Sequence, residues 1–199
     1  MVSGMAGDLL DAPLGELLDS LAGEEPAPAG GSAAALVVAM AAGLVAKVAR
    51  ASQGYWEEAG GVIGQAETFR ARVAPLAQAD ADAYHEALSA LRGREELAER
   101  YRDQQLRAAL DRSAEIPIQI AESGCDLACL AALLVENGNP EVRADAAAAS
   151  ILAESGARVA AALVETNLGA TEDDPRVRHV RSLVEVAADA SERALAASA

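Results

Sequence analysis

The sequence predicts an all-α fold, an up-and-down helical bundle of long helices that is dimeric. Three observations carry this. Fifty of the 199 residues are alanine, and Ala, Leu, Glu and Arg, strong helix formers, outweigh the β-branched and aromatic residues that strands favour. Hydrophobic residues reach 52% while aromatics are 3%, enough apolar mass for one sizeable core. Glycine and proline gather in a few clusters that cut the chain into long periodic stretches. Residues 1–199 read as a single domain, with no linker and no internal repeat.

The elements follow in order. Leu10, Leu14, Leu17, Leu18 and Leu21 stand at helical spacing and predict a short amphipathic helix over Leu9–Leu21. Glu24 to Gly31 holds two prolines and a glycine pair and reads as a loop. Ser32 is placed to cap a second helix that runs to about Ala51. That helix is apolar almost all round and needs cover on most sides. Its most apolar part, Ala33 to Ala46, is short for a membrane span. A helix from about Trp56 to Leu91 should kink or divide at Pro75. Arg92-Gly93-Arg94 breaks the chain before a charged helix from Glu95 to about Ser113, which continues to Glu136 with a kink at Pro117. Asn137-Gly138-Asn139-Pro140 is the clearest stop signal. A helix over about Glu141–Leu168 follows, and Pro175 opens the last one, ending near Ala197. The second helix and the alanine-rich helix after Pro140 carry more apolar surface than one bundle hides, which predicts a two-fold dimer.

Charge excludes some functions. The net charge is −15, lysine occurs once, at Lys47, and no basic stripe exists for a nucleic acid to bind. The same charge disfavours an anionic membrane. The N-terminal residues show neither a basic stretch nor an apolar leader, so the expected location is cytoplasmic. Cys125 and Cys129 have no histidine or cysteine cluster around them, so no metal site is expected and both read as small core residues. His179, among Arg176, Arg178 and Arg181, reads as part of a solvated face.

Chemistry could sit in three stretches. In the first, Gly30 and Gly31 precede Ser32 at a helix start, where free N–H groups and the helix dipole favour an anion; the alternative is an ordinary capped helix start. In the second, Asp80-Ala81-Asp82-Ala83-Tyr84-His85-Glu86, Asp80 falls at the edge of an apolar stripe while Asp82, His85 and Glu86 share a face. A carboxylate in such a place can act as a base or stabilise a cation; the alternative is a solvated acidic face. In the third, Asp145 follows Gly138-Asn139-Pro140 just over one turn into an apolar helix, where the N-terminal dipole helps keep it ionised. The alternative there is a helix-start acid with Asn139 as cap.

These stretches occur together, in this order, on an alanine-rich helical chain. With Ala114-Glu115-Ile116-Pro117 and Glu165-Thr166-Asn167-Leu168, the set resembles the cyclodeaminase/cyclohydrolase family, that of the C-terminal domain of formiminotransferase-cyclodeaminase and of stand-alone methenyltetrahydrofolate cyclohydrolases. The likeness spans roughly residues 9–168. Three places differ from the family pattern: Ala29 stands where a glycine is usual, Ser52-Gln53-Gly54-Tyr55 keeps a tyrosine but lacks a lysine, and Ala144 replaces a common serine. The resemblance implies an all-helical homodimer acting on a tetrahydrofolate derivative as substrate, with no metal or other cofactor. It implies hydrolysis of 5,10-methenyltetrahydrofolate to 10-formyltetrahydrofolate, a reading to which the absence of a transferase domain adds weight. The alternatives are a formiminotetrahydrofolate cyclodeaminase and, from another class, a helical dimer of the same fold that has lost activity. Carried onto this chain, the resemblance and the chemistry nominate Asp80 and Asp145 as catalytic. Gly30, Gly31, Ser32, Tyr55, Asp82, Tyr84, Asn139 and Asn167 are nominated for substrate binding.

Overall fold

The structure is a computed structural model that describes residues 8–92, 111, 113–169 and 173–198. Its helices are α1 (Leu14–Leu21), α2 (Gly30–Ala51), α3 (Ala59–Val73), α4 (Leu76–Arg92), α5 (Glu115–Asn137), a 3₁₀ turn at Pro140–Val142, α6 (Arg143–Asn167) and α7 (Pro175–Ser198). No strand occurs among the described residues. The helix expected to start at Glu95 lies outside them.

Local chemistry explains where these bounds differ from the sequence expectation. α1 starts at Leu14 rather than Leu9 because Pro13 precedes it, and the residue before a proline is biased away from helix. The Leu9 N–H instead donates to Gln78 Oε1 at 3.0 Å, tying this segment to α4. α2 starts at Gly30, with Ala29 as the extended residue before it, so Ser32 lies inside the first turn and is not the cap. The long helix predicted after Trp56 is two helices, divided at Ala74-Pro75, where the proline supplies no N–H and its ring crowds the preceding turn. Pro117 makes no kink: it falls in the first turn of α5, where its missing N–H would have had no helical partner anyway. Asn139 caps as expected, its Oδ1 accepting the Glu141 N–H at 2.9 Å.

α2, α5 and α6 form the centre. α3 packs on α2 and α5, α7 lies across α5 and α6, and α4 meets α2. Alanine makes this centre dense. A Cβ added at Gly124 on α5 would stand 2.8 Å from the Ala153 carbonyl oxygen and 2.9 Å from Ala157 Cβ on α6. At Gly156 on α6 it would collide with Val38 of α2. Buried hydroxyls tie helices as well: Ser150 Oγ donates to the Ala128 carbonyl at 3.1 Å and lies 3.2 Å from Ser191 Oγ. Cys125 is buried and Cys129 half-buried, both as free thiols. His179 sits on the surface beside Glu122, its Nε2 3.0 Å from Oε1.

α2 and α6 run antiparallel. Lys47 near the end of α2 pairs with Asp145 at the start of α6 at 2.8 Å, and Gly156 packs on Ala34 and Val38. Both helices keep an uncovered side. Met40 is 58% exposed, Val159 44% and Ile151 38%. α2, α5 and the stretch Pro140–Asn167 are each long and apolar enough to cross a membrane by length and composition, and half or more of each apolar window is buried inside the fold. The apolar stretch of α2 thus exceeds the short run expected from sequence.

Gly124→Ala should destabilise the fold by about 1–3 kcal/mol, since a backbone carbonyl cannot yield as a side-chain tip can. Gly64→Ala, on α3 where an added Cβ meets nothing within 4 Å, should stabilise by about 0.5–1 kcal/mol. Denaturant titration of the two variants checks the contrast, and equal effects would contradict the close α5–α6 approach.

Candidate active site

A cavity of about 290 Å³ opens where the start of α2, the middle of α4, the start of α5 and the end of α6 converge. Gly30, Gly31 and Ala29 form one wall; Asp80, Ala83, Tyr84, Ala87 and Leu88 of α4 form another. Ser113, Pro117, Leu163 and Asn167 close it. The lining is mostly apolar, with one carboxylate, one phenol, one amide and one hydroxyl. Asn167 Nδ2 donates to the Ser113 carbonyl at 3.3 Å, which joins the end of α6 to the start of α5.

Asp80 is the carboxylate among the lining residues. Its carboxylate lies against the first turn of α2, so close that any side chain at Gly31 would occupy the same space. The Ser32 backbone N–H, in that first turn, favours the Asp80 anion. Ser32 Oγ lies 3.4 Å from Asp80 Oδ2 and donates to the Ala77 carbonyl at 2.8 Å. The first N–H groups of a helix lack intrahelical partners and attract an anion; here the anion is the protein's own. Burial raises the Asp80 pKa above the usual aspartate value, and the hydrogen bonds from Ser32, first the hydroxyl and then the backbone N–H, oppose that rise. A carboxyl poised in this way suits proton transfer.

The other nominated residues divide between two ends of the bundle. Gly30, Gly31, Tyr84 and Asn167 line the cavity with Asp80, and Ser32 is bonded to it. Asp82 points to the outer side of α4, exposed, its Oδ1 accepting from Gln78 Nε2 at 2.8 Å. Asp145 does not share the cavity within one chain. It pairs with Lys47, sixteen residues along α2 from Gly31, which at 1.5 Å per residue is roughly 24 Å away. Tyr55 and Asn139 sit at that far end too. Tyr55 is 58% exposed, and Asn139 takes its N–H to Ser52 Oγ at 3.0 Å and its Nδ2 to the Ala51 carbonyl at 3.3 Å. The antiparallel course of α2 and α6 causes this separation. The sequence reading missed Leu163 as a lining residue and Pro117 as more than part of a motif. Only the α5–α6 contact brings them to the cavity.

The raised pKa of Asp80 fixes a sign. Folding favours its neutral form, so its burial costs stability as pH rises through the folded pKa, and that cost is absent well below the usual aspartate range. Asp80→Asn should therefore match or exceed wild-type stability at neutral pH, with the difference vanishing in strong acid. Chemical denaturation at a series of pH values checks this; a variant destabilised only above the carboxylate range would show that Asp80 is held more strongly as an anion than as an acid.

The sequence profile of the family described as Formiminotransferase-cyclodeaminase matches residues 13–186. No curated protein sequence matches the chain. The fold is similar to the crystal structure of formiminotetrahydrofolate cyclodeaminase from Thermotoga maritima, with a TM-score of 0.80 and 25% identity over 95% of this chain and 96% of that one. With the profile spanning most of its length and a helical relative aligned almost end to end, the chain belongs to the formiminotransferase-cyclodeaminase family.

Proposed function

We propose that this protein is a tetrahydrofolate one-carbon enzyme that closes the 5-formimino group onto N10 and releases ammonia. The observation that carries the reading is the Asp80 carboxylate, held at a helix start in a largely apolar cavity. The substrate's formimino carbon sits in an amidinium, and an anion beside a delocalised cation is favourable where water is excluded. N10 attacks that carbon, giving a tetrahedral centre bonded to three nitrogens. Asp80 takes the N10 proton and returns it to the exocyclic nitrogen. The bond to that nitrogen breaks, ammonia leaves, and the 5,10-methenyl cation remains. One carboxyl that both accepts and donates is enough for the sequence.

The Thermotoga maritima relative supports placing cyclodeamination before hydrolysis. It carries the cyclodeaminase name, and this chain covers 96% of it, which supports cyclodeamination as the first reading. Hydrolysis of the methenyl cation is the second reading and fits the same residues. Water attacks the methenyl carbon, Asp80 takes one proton, the bond to N5 breaks as the carbonyl forms, and the second hydroxyl proton goes to N5. The product is 10-formyltetrahydrofolate. Neither route draws on a metal or other cofactor, and the described residues hold no group of three His, Cys, Asp or Glu side chains fit for a metal.

We also place a second copy of the chain on the uncovered side of α2 and α6. Met40, Ile151 and Val159 are exposed there, in a stripe that ends at the Lys47–Asp145 pair. A two-fold contact buries the same patch on both partners.

Supplying 5-formiminotetrahydrofolate should yield ammonia and growing methenyl absorbance; decay of that absorbance from supplied 5,10-methenyltetrahydrofolate would select the second reading. Asp80→Asn should slow either reaction about 10²–10⁴-fold, and dialysis against a chelator should leave the rate unchanged. If neither reaction outpaces buffer, the reading as an enzyme of this class is wrong. Light scattering should give twice the 20.3 kDa chain mass, and Met40→Glu should shift the protein toward monomer. A wild-type monomer at micromolar concentration would sink the dimer.

A further inference from the structure

We infer that Ser32 is a positioning residue: its hydroxyl, on α2, holds the carboxylate of Asp80, on α4, in one orientation toward the cavity. This rests on the proposed role of Asp80 and assigns Ser32 to the protein's own acid rather than to the substrate.

The geometry argues against Ser32 as a substrate ligand. Its side chain is fully buried, and the cavity is lined by its neighbours Gly30 and Gly31 without it. Its hydroxyl donates to the Ala77 carbonyl, 2.8 Å away and one turn before Asp80 on the same helix, and at longer range to Asp80 Oδ2, 3.4 Å away. The one hydroxyl hydrogen is thus shared between a carbonyl of α4 and the carboxylate that α4 carries. Ser32 therefore fixes both the height of α4 on α2 and the direction of the acid it carries. Gly31 completes the arrangement, since only a residue without a side chain leaves room for the carboxylate at this point.

The charge environment isolates the effect. The influences that move Asp80 are its burial and the two hydrogen bonds from Ser32; no charged side chain contributes. Among the described lining residues, Tyr84 on α4 is the one other titratable group, and the facing residues of α2, α5 and α6 (Gly30, Gly31, Pro117, Leu163 and Asn167) carry no charge. Removing the Ser32 hydroxyl takes away a group that favours the ionised form, so the Asp80 pKa must rise.

The test is an aspartate carboxyl ¹³C titration of the full chain, with the Asp80 resonance assigned by its absence in Asp80→Asn. Ser32→Ala should move the Asp80 midpoint upward and carry the acid limb of the pH–rate profile with it. Ser150→Ala removes another buried helix-to-helix hydroxyl and should cost comparable stability while leaving the Asp80 midpoint in place. If Ser32→Ala behaves like Ser150→Ala, less stable with the midpoint unmoved or lowered, Ser32 is a structural hydroxyl and the inference is overturned. The resonance reports on Ser32 whether or not folate turnover is found. A midpoint that moves without the acid limb supports the role of Ser32 and counts only against Asp80 as the base.

Discussion

The contact between the Asp80 carboxylate and the first turn of α2 is the interaction on which the site depends. A helix start leaves N–H groups without partners, and residues near it usually supply the cap from their own segment. Here Ala29 has no side-chain oxygen to give, and the acid arrives from another helix nearly fifty residues on. The consequence is a fixed crossing of α4 over α2. Gly31 must lack a side chain, Ser32 must reach Ala77, and the turn at Ala74-Pro75 must deliver α4 at the right angle. Burial raises the Asp80 pKa while the helix start restrains the rise. The same contact thus joins two elements and prepares an acid able to exchange a proton.

Alanine and glycine make that contact possible from a distance. The cavity is closed by the start of α5 and the end of α6, and their position is set by how closely those helices approach. Gly124 against Ala153 and Ala157, and Gly156 against Val38, leave no space for even one added carbon. Larger residues would spread the helices and carry Pro117, Leu163 and Asn167 away from Asp80. Few aromatics are needed because the core is filled by backbone proximity, and the fully buried large side chains are mainly valine and leucine with Ile120. The cost is that little apolar bulk remains to seal the outer sides of α2 and α6.

Most of the fold was legible because its punctuation is chemical. Asn139-Pro140 and Pro175 mark helix starts that the structure keeps, and the apolar run after Ser32 became α2. The errors share a cause. Ser32 looked like a cap because the capping preference is local, whereas the group that satisfies this helix start is remote. Pro117 looked like a kink because its position within the helix could not be read until the start at Glu115 was known. The glycine pair and Asp80 were each visible as candidates, but nothing in their spacing shows that one is the receptacle of the other. That relation depends on where α4 crosses α2.

The third stretch shows the same limit from the opposite side. Asp145 and Asp80 are alike in sequence terms, each an acid on an alanine-rich helix, yet their surroundings differ in kind. Asp145 stands partly exposed beside Lys47 at the start of α6, where an ion pair in water contributes little to stability and the helix start already favours the charge. Asp80 is half-buried in the cavity wall, no cation contributes to its state, and its ionised form is favoured only by hydrogen bonds. An acid of the first kind suits a surface or a contact with another chain. An acid of the second kind has its neutral form favoured by burial and its anion favoured by the helix start, and the fold gives Asp80 both by setting it against the first turn of α2.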